Sequence, residues 1–132
     1  MKNEVNLKLF RDIDGSLLPV EFSSIKFVPR RIFMINDVPK GVIRGNHAHY
    51  ETEQLLICTK GEILVFLDDG SKKTETILRE GESIYVDKLV WDYQQFLTGN
   101  EMLTVICSTE YNAKDYINDI REFYKITNKG LL

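Results

Sequence analysis

Cysteine and histidine each occur only twice in this chain of 132 residues. Cys58 and Cys107 are too few for a disulfide framework. Both stand inside apolar runs, where a thiol is expected to be buried and free. No apolar run approaches the roughly 18 residues of a membrane-spanning helix. The opening Met1-Lys2-Asn3-Glu4-Val5 lacks the apolar core of a secretory leader, so a cytoplasmic location is expected. Positive charge is neither in excess nor clustered. The 17 Lys and Arg stand against 20 Asp and Glu, for a net charge of -3. That balance leaves no electrostatic footprint for nucleic acid. Internal repeats, a linker and low-complexity stretches are also missing, so a single domain over residues 1–132 is expected. It is long enough to bury a core.

What is present is a series of short apolar runs separated by turn residues. Asp12-Ile13-Asp14-Gly15-Ser16 reads as a turn. Leu17 to Phe22 reads as a short strand, with Pro19 placing it at an edge. Arg30 to Asn36 is a strand, and Asp37 to Gly41 a loop. Gln54 to Thr59 is almost wholly apolar, as in a strand covered on both faces. Asp68-Asp69-Gly70 between apolar runs is a hairpin signal. Glu62 to Leu67, Thr74 to Leu78, Ser83 to Val86, Leu89 to Phe96 and Met102 to Cys107 complete the set. Many short strands at intervals of about ten residues predict an all-β sandwich or barrel. Asn112 is expected to cap a short C-terminal helix carrying Tyr116, Ile117, Ile120 and Phe123 on one face. Trp91 and Tyr93 could stack on a base, but aromatics in a barrel strand belong more often to the core.

Both histidines fall in one stretch, Arg44-Gly45-Asn46-His47-Ala48-His49-Tyr50-Glu51-Thr52-Glu53. Residues two apart in a strand share a face, so His47 and His49 project together, and Glu53 is expected to join them. Imidazole titrates near neutrality and either moves protons or binds a metal. A histidine beside a carbonyl can take a proton from one carbon and return it to the next. Glu53 or Asp92 could orient the ring and fix its tautomer. Two imidazoles and two carboxylates could instead hold Fe(II), Mn(II) or Zn(II).

Gly41, five residues, His47, one, His49, three, Glu53, seven and Gly61 together closely resemble the first signature of the cupin superfamily. The resemblance implies a small jelly-roll β-barrel. In metal-binding cupins the two histidines and the glutamate are ligands, and a second motif supplies a third histidine. Here that motif would begin at Gly81. Asp92 stands in the place of its histidine, and Asp87 and Leu89 replace its usual proline and second glycine.

A closer likeness covers nearly the whole chain. Arg44-Gly45-Asn46-His47-Ala48-His49, Glu53-Gln54-Leu55-Leu56-Ile57-Cys58 and Leu67-Asp68-Asp69-Gly70 resemble the cupin-type nucleotide-sugar 3,4-ketoisomerases, relatives of the WxcM-like proteins. So do Asp14-Gly15-Ser16-Leu17, Arg31-Ile32-Phe33-Met34-Ile35, Val90-Trp91, and Ser108 to Tyr111 with Asp115-Tyr116-Ile117. The resemblance implies a homodimeric isomerase of deoxysugar biosynthesis with no required metal or other cofactor. Its substrate would be a dTDP-linked 4-keto-6-deoxyhexose, converted to the 3-keto sugar through an enediol. By this likeness His49 is the base at C3, His47 its partner in proton transfer, and Arg44 a contact for the phosphates or the sugar. A guanidinium suits phosphate because it offers paired donors. Arg31, Phe33, Glu53 and Asp92 are further substrate-binding positions.

Two departures stand out. Phe33 and Met34 occupy a strand where the family commonly has tyrosine, and Asp92 follows the tryptophan where it commonly has histidine. They keep two other readings open: a non-catalytic nucleotide-sugar-binding module, and a metal-dependent enzyme using His47, His49, Glu53 and Asp92.

Overall fold

The computed structural model describes residues 4–128. Two five-stranded antiparallel sheets form a jelly-roll barrel. One runs in the order β1 (Glu4–Val5), β9 (Ser83–Val86), β6 (Gln54–Lys60), β11 (Met102–Cys107) and β4 (Arg31–Asn36). The other runs β12 (Tyr116–Ile117), β5 (Ile43–His49), β10 (Trp91–Phe96), β7 (Glu62–Asp68) and β8 (Lys73–Arg79). A small hairpin, β2 (Phe10–Asp12) with β3 (Gly15–Leu17), stands apart. One helix, α1 (Ile120–Thr127), closes the described chain. No helix among the described residues is long and apolar enough to cross a membrane.

Alternation along each strand builds the core. Leu56, Cys58, Leu103 and Val105 of one sheet face Ile63, Val65, Leu67 and Phe96 of the other. The opposite side of β6 is not solvent. Leu55 and Ile57, with Tyr85 and Ile106, are covered by Leu7, Leu18, Val20 and Ile25 of the N-terminal segment. A strand buried on both faces reads as a continuous apolar run, which is what Leu55 to Cys58 shows. Both cysteines are buried and free, and burial pushes the Cys58 thiol up to about 12. The Asp-Asp-Gly hairpin joins β7 to β8, with Asp68 opposite Lys73. Asp69 closes it by accepting from the amides of Ser71 and Lys72.

Three expectations are corrected. The strand expected from Leu17 to Phe22 is not formed: β3 ends at Leu17, and Phe22–Ser24 is a 3-10 turn. Pro19 has no amide to give to a ladder. The C-terminal helix begins at Ile120, not after Asn112. Asn112 caps a single 3-10 turn, and Asp119 caps α1 by accepting from the Arg121 amide at 2.9 Å. Between them Tyr116 and Ile117 are a strand, paired with His49 and Ala48. Asp115 fixes that strand. Its carboxylate accepts from the amides of Glu51, at 2.7 Å, and Thr52, and from the Thr52 hydroxyl. Ile117 then packs inward with Ala48, Trp91 and Phe123, and Tyr116 falls on the other face. The third correction concerns Glu53. β5 ends at His49, so the two-residue period stops four residues short of it. Its carboxylate accepts from the Tyr85 hydroxyl, and its amide donates to Ser108 Oγ at 2.8 Å. It does not join the histidines.

Candidate active site

A β-bulge organises the site. In the β10–β5 ladder Asp92 is opposite His47, but Tyr93 is opposite Gly45, so Asn46 is the extra residue. Gly45 (φ +83°) and Asn46 (φ +65°) both lie in the left-handed region, which these two residue types tolerate best. A Cβ on Gly45 would stand 2.9 Å from the Gln94 side-chain oxygen, so the strand passes close to its neighbour there. The Asn46 side chain turns away and accepts the Trp91 indole N–H at 3.1 Å. Arg44 and His47 are an odd number of residues apart and in a regular strand would face opposite ways. The inserted residue brings both to one cavity.

That cavity, about 160 Å³, is lined by Arg44 and His47 with Phe33, Asp92, Gln94 and Tyr116 among others. It is smaller than the 300–1,000 Å³ typical of pockets that enclose a whole drug-sized ligand. It can take one ring and leave the rest of a larger molecule outside. Arg44 is exposed at its rim.

The interior is aromatic and buried. The His47 and His49 rings are 4.9 Å apart and nearly perpendicular. The Tyr116 ring is 4.9 Å from His47 and 4.5 Å from His49. His49 is 3% exposed and Asp92 1%. Among the described residues, His49 Nε2, Asp92 Oδ2 and Arg31 Nε are buried without a hydrogen-bond partner. The second oxygen of Asp92 accepts from the Gln94 amide at 2.5 Å. The Arg31 guanidinium lies over the rings of Phe33, at 5.0 Å, and Tyr111, at 5.6 Å, and reaches Cys107 Sγ at 3.6 Å. Burial opposes its charge, while the Tyr116 hydroxyl and Cys107 favour it and leave its affinity for the proton raised.

Burial sets the protonation states. It lowers His47, with the Gly45 carbonyl pulling weakly the other way. It lowers His49 to about 4, helped by the charge His47 would carry. It raises Asp92 to about 7, against the Gln94 hydrogen bond. Near neutral pH the imidazoles are therefore uncharged, and the Asp92 carboxyl holds its proton far more firmly than an exposed one.

Of the residues singled out in the sequence, His47, His49, Asp92, Arg31, Phe33 and Arg44 come together and Glu53 does not. Of the two histidines, His47 lines the cavity and His49 lies buried beside it. Tyr116 is the group missed as a site residue. Its signal was the alternation in Asp115-Tyr116-Ile117, hidden because Tyr116, Ile117, Ile120 and Phe123 also fit a helical period. Donor atoms of His47, His49 and Asp92 lie within 4.8 Å of one another, so these three could hold a divalent cation. Glu53, committed to Tyr85, is not among them.

The matching family model is FdtA, described as WxcM-like, C-terminal, over residues 2–128. A TDP-4-oxo-6-deoxy-alpha-D-glucose-3,4-oxoisomerase of Aneurinibacillus thermoaerophilus is 34% identical, over 98% of this chain and 95% of its own. Among solved structures, a 3,4-ketoisomerase from Helicobacter canadensis is 33% identical, with a TM-score of 0.87 over 95% of this chain and 96% of that one. The sugar 3,4-ketoisomerase QdtA from Thermoanaerobacterium thermosaccharolyticum, solved with TDP, is 28% identical, with a TM-score of 0.89 over 98% and 96%.

Proposed function

The chain belongs to the FdtA family of WxcM-like C-terminal proteins, and from that premise we propose that it is a TDP-sugar 3,4-ketoisomerase of deoxysugar biosynthesis. Its substrate is a TDP-linked 4-keto-6-deoxyhexose and its product the 3-keto sugar. One observation carries the assignment of roles: His47 opens into a cavity sized for one ring, in surroundings that hold its imidazole unprotonated.

His47 is the base at C3. The sequence likeness gives that role to His49, which lies buried beside the cavity, while His47 lines it. An uncharged imidazole accepts the C3 proton as the C4 carbonyl becomes an enediol, and the resulting imidazolium returns a proton to C4. His49, its Nε2 uncommitted, stands behind as partner in the transfer. Burial of the wall strengthens each electrostatic interaction with the developing charge. Arg44, exposed at the rim, pairs with the diphosphate of a nucleotide left outside. Asp92 and Gln94 face the ring from β10 and Phe33 from β4, with Arg31 over the Phe33 ring behind it.

The reading includes a homodimer working in the cytoplasm. β4 is the edge of its sheet, and its outward side chains Ile32 and Met34 are 52% and 60% exposed. With Phe10 and Leu17 of the β2–β3 hairpin, also exposed, they supply apolar surface that a second copy could cover.

Proton NMR with TDP-4-keto-6-deoxyglucose in deuterated water, with and without chelator, tests the activity. The expected result is a 3-keto product carrying ring deuterium, at a rate the chelator leaves unchanged. No 3-keto product at high enzyme concentration would sink the reading. Activity lost to chelator and restored by a divalent metal would instead make His47, His49 and Asp92 a metal-dependent centre.

A further inference from the structure

We infer that Tyr116 is a further catalytic residue, whose hydroxyl carries the proton between the C4 and C3 oxygens while His47 works at carbon. The inference rests on the ketoisomerase reading and extends it. Moving a carbonyl from C4 to C3 relocates two protons, one on carbon and one on oxygen, and an imidazole occupied with the first cannot also carry the second.

Several observations single out this phenol. Tyr116 pairs with His49 across the β12–β5 ladder, lines the cavity with His47, and packs against both imidazole rings. The hydroxyls of Tyr50, Tyr85 and Tyr124 donate to the carboxylates of Glu122, Glu53 and Asp68. Among the described residues Tyr93, Tyr111 and Tyr116 have no such acceptor, and of these three Tyr116 lines the cavity. The charged neighbour of Tyr116 is the Arg31 guanidinium, which has only protons to offer. Such a hydroxyl is free to give its own proton to a substrate oxygen. Arg31 is itself held between Phe33, Tyr111 and Cys107.

The step balances. As His47 removes the C3 proton, the C3–H electron pair becomes the C3–C4 double bond. The carbonyl π pair moves to the C4 oxygen, which takes the Tyr116 proton. The enediol then collapses the other way. The Tyr116 phenolate takes the proton of the C3 hydroxyl, the C3 carbonyl forms, and C4 takes the proton from the His47 imidazolium. Both side chains end as they began.

Tyr116→Phe keeps the ring and removes the hydroxyl. Wild type and variant are compared as full chains with TDP-4-keto-6-deoxyglucose in deuterated water. The variant is expected to lose at least tenfold in kcat, with KM within threefold. The ratio of deuterium entering C3 of the substrate to product formed should rise at least tenfold, because carbon deprotonation outlives the relay between oxygens. A merely structural role would lower exchange and product together. A kcat within threefold of wild type, or a proportional fall in both, overturns the inference and leaves the ketoisomerase reading standing. A wild type that forms no product overturns both.

Discussion

His47→Asn is expected to lower kcat about a thousandfold, within the 10²–10⁴ range typical of positioned acid–base groups. Asparagine fills similar space but cannot accept a proton, so the loss falls on kcat rather than on nucleotide affinity, which Arg44 and the rim supply. His49→Asn should cost less, because His49 is 3% exposed and does not line the cavity. The pH profile supplies an independent check. Only the unprotonated imidazole can act as base, so kcat/KM falls as pH drops through the pKa of His47. Burial lowers that pKa from its ordinary 6.5. The acid limb therefore lies below pH 6.5. A variant keeping more than a tenth of wild-type kcat, or an acid limb above pH 7, would remove His47 from the role of base.

Asp92→Asn and His49→Asn should tilt the pH dependence of stability in opposite directions. Asp92 rises from about 3.8 to about 7 on folding. Between those values the folded state holds a proton that the unfolded state lacks, so stability falls with rising pH, by about 1.4 kcal/mol per unit. His49 drops from 6.5 to about 4. Over that window the unfolded state holds the extra proton, and stability rises with pH at about the same slope. His47, shifted the same way, adds to the second slope. Between roughly pH 4.8 and 6.5 the contributions oppose each other, so the wild-type curve should be shallow. Asp92→Asn leaves the histidines alone, and its stability should climb by about 2 kcal/mol across the window. His49→Asn removes the larger histidine contribution, and its stability should fall as pH rises. The carboxylates held below their ordinary values, Asp69, Glu101 and Asp119, exert most of their pH dependence below about pH 4.5, at and under the lower edge of the window. Urea titrations at several pH values measure these slopes. Parallel curves for the three proteins would mean that neither buried group is shifted as described.

Local patterns were legible in the sequence because their causes are local. The β-strand run, the Asp-Asp-Gly hairpin and the burial of both cysteines follow from alternation and turn chemistry. His47 and His49 on one face needed only the two-residue period. What needed three dimensions was read less well. Glu53 fits the spacing of a motif, but the strand stops at His49, and spacing does not report where a ladder ends. Tyr116 sat in a segment whose apolar positions satisfy helix and strand alike. Asp115 decides between them by binding the Glu51 and Thr52 amides, a contact across 63 and 64 residues of sequence. The shared cavity of Arg44 and His47 depends on one inserted residue. Gly45-Asn46 hints at it, since these two types accept the left-handed backbone, but the register opposite β10 proves it. The histidine-to-aspartate departure at position 92 acquires physical meaning only with burial, which turns an acidic side chain into a weak acid.

Trp91 is the chain's only tryptophan. Its indole donates to Asn46, the inserted residue of the bulge, while Asp92 next to it faces the cavity. The protein thus carries a built-in optical probe on the back of its own site. A sugar nucleotide that shifts β5 by a few tenths of an ångström changes the indole's hydrogen bond, and with it the colour and yield of its emission. Occupancy can be followed in real time by intrinsic fluorescence, without a label and without turnover, even in variants whose chemistry has been silenced.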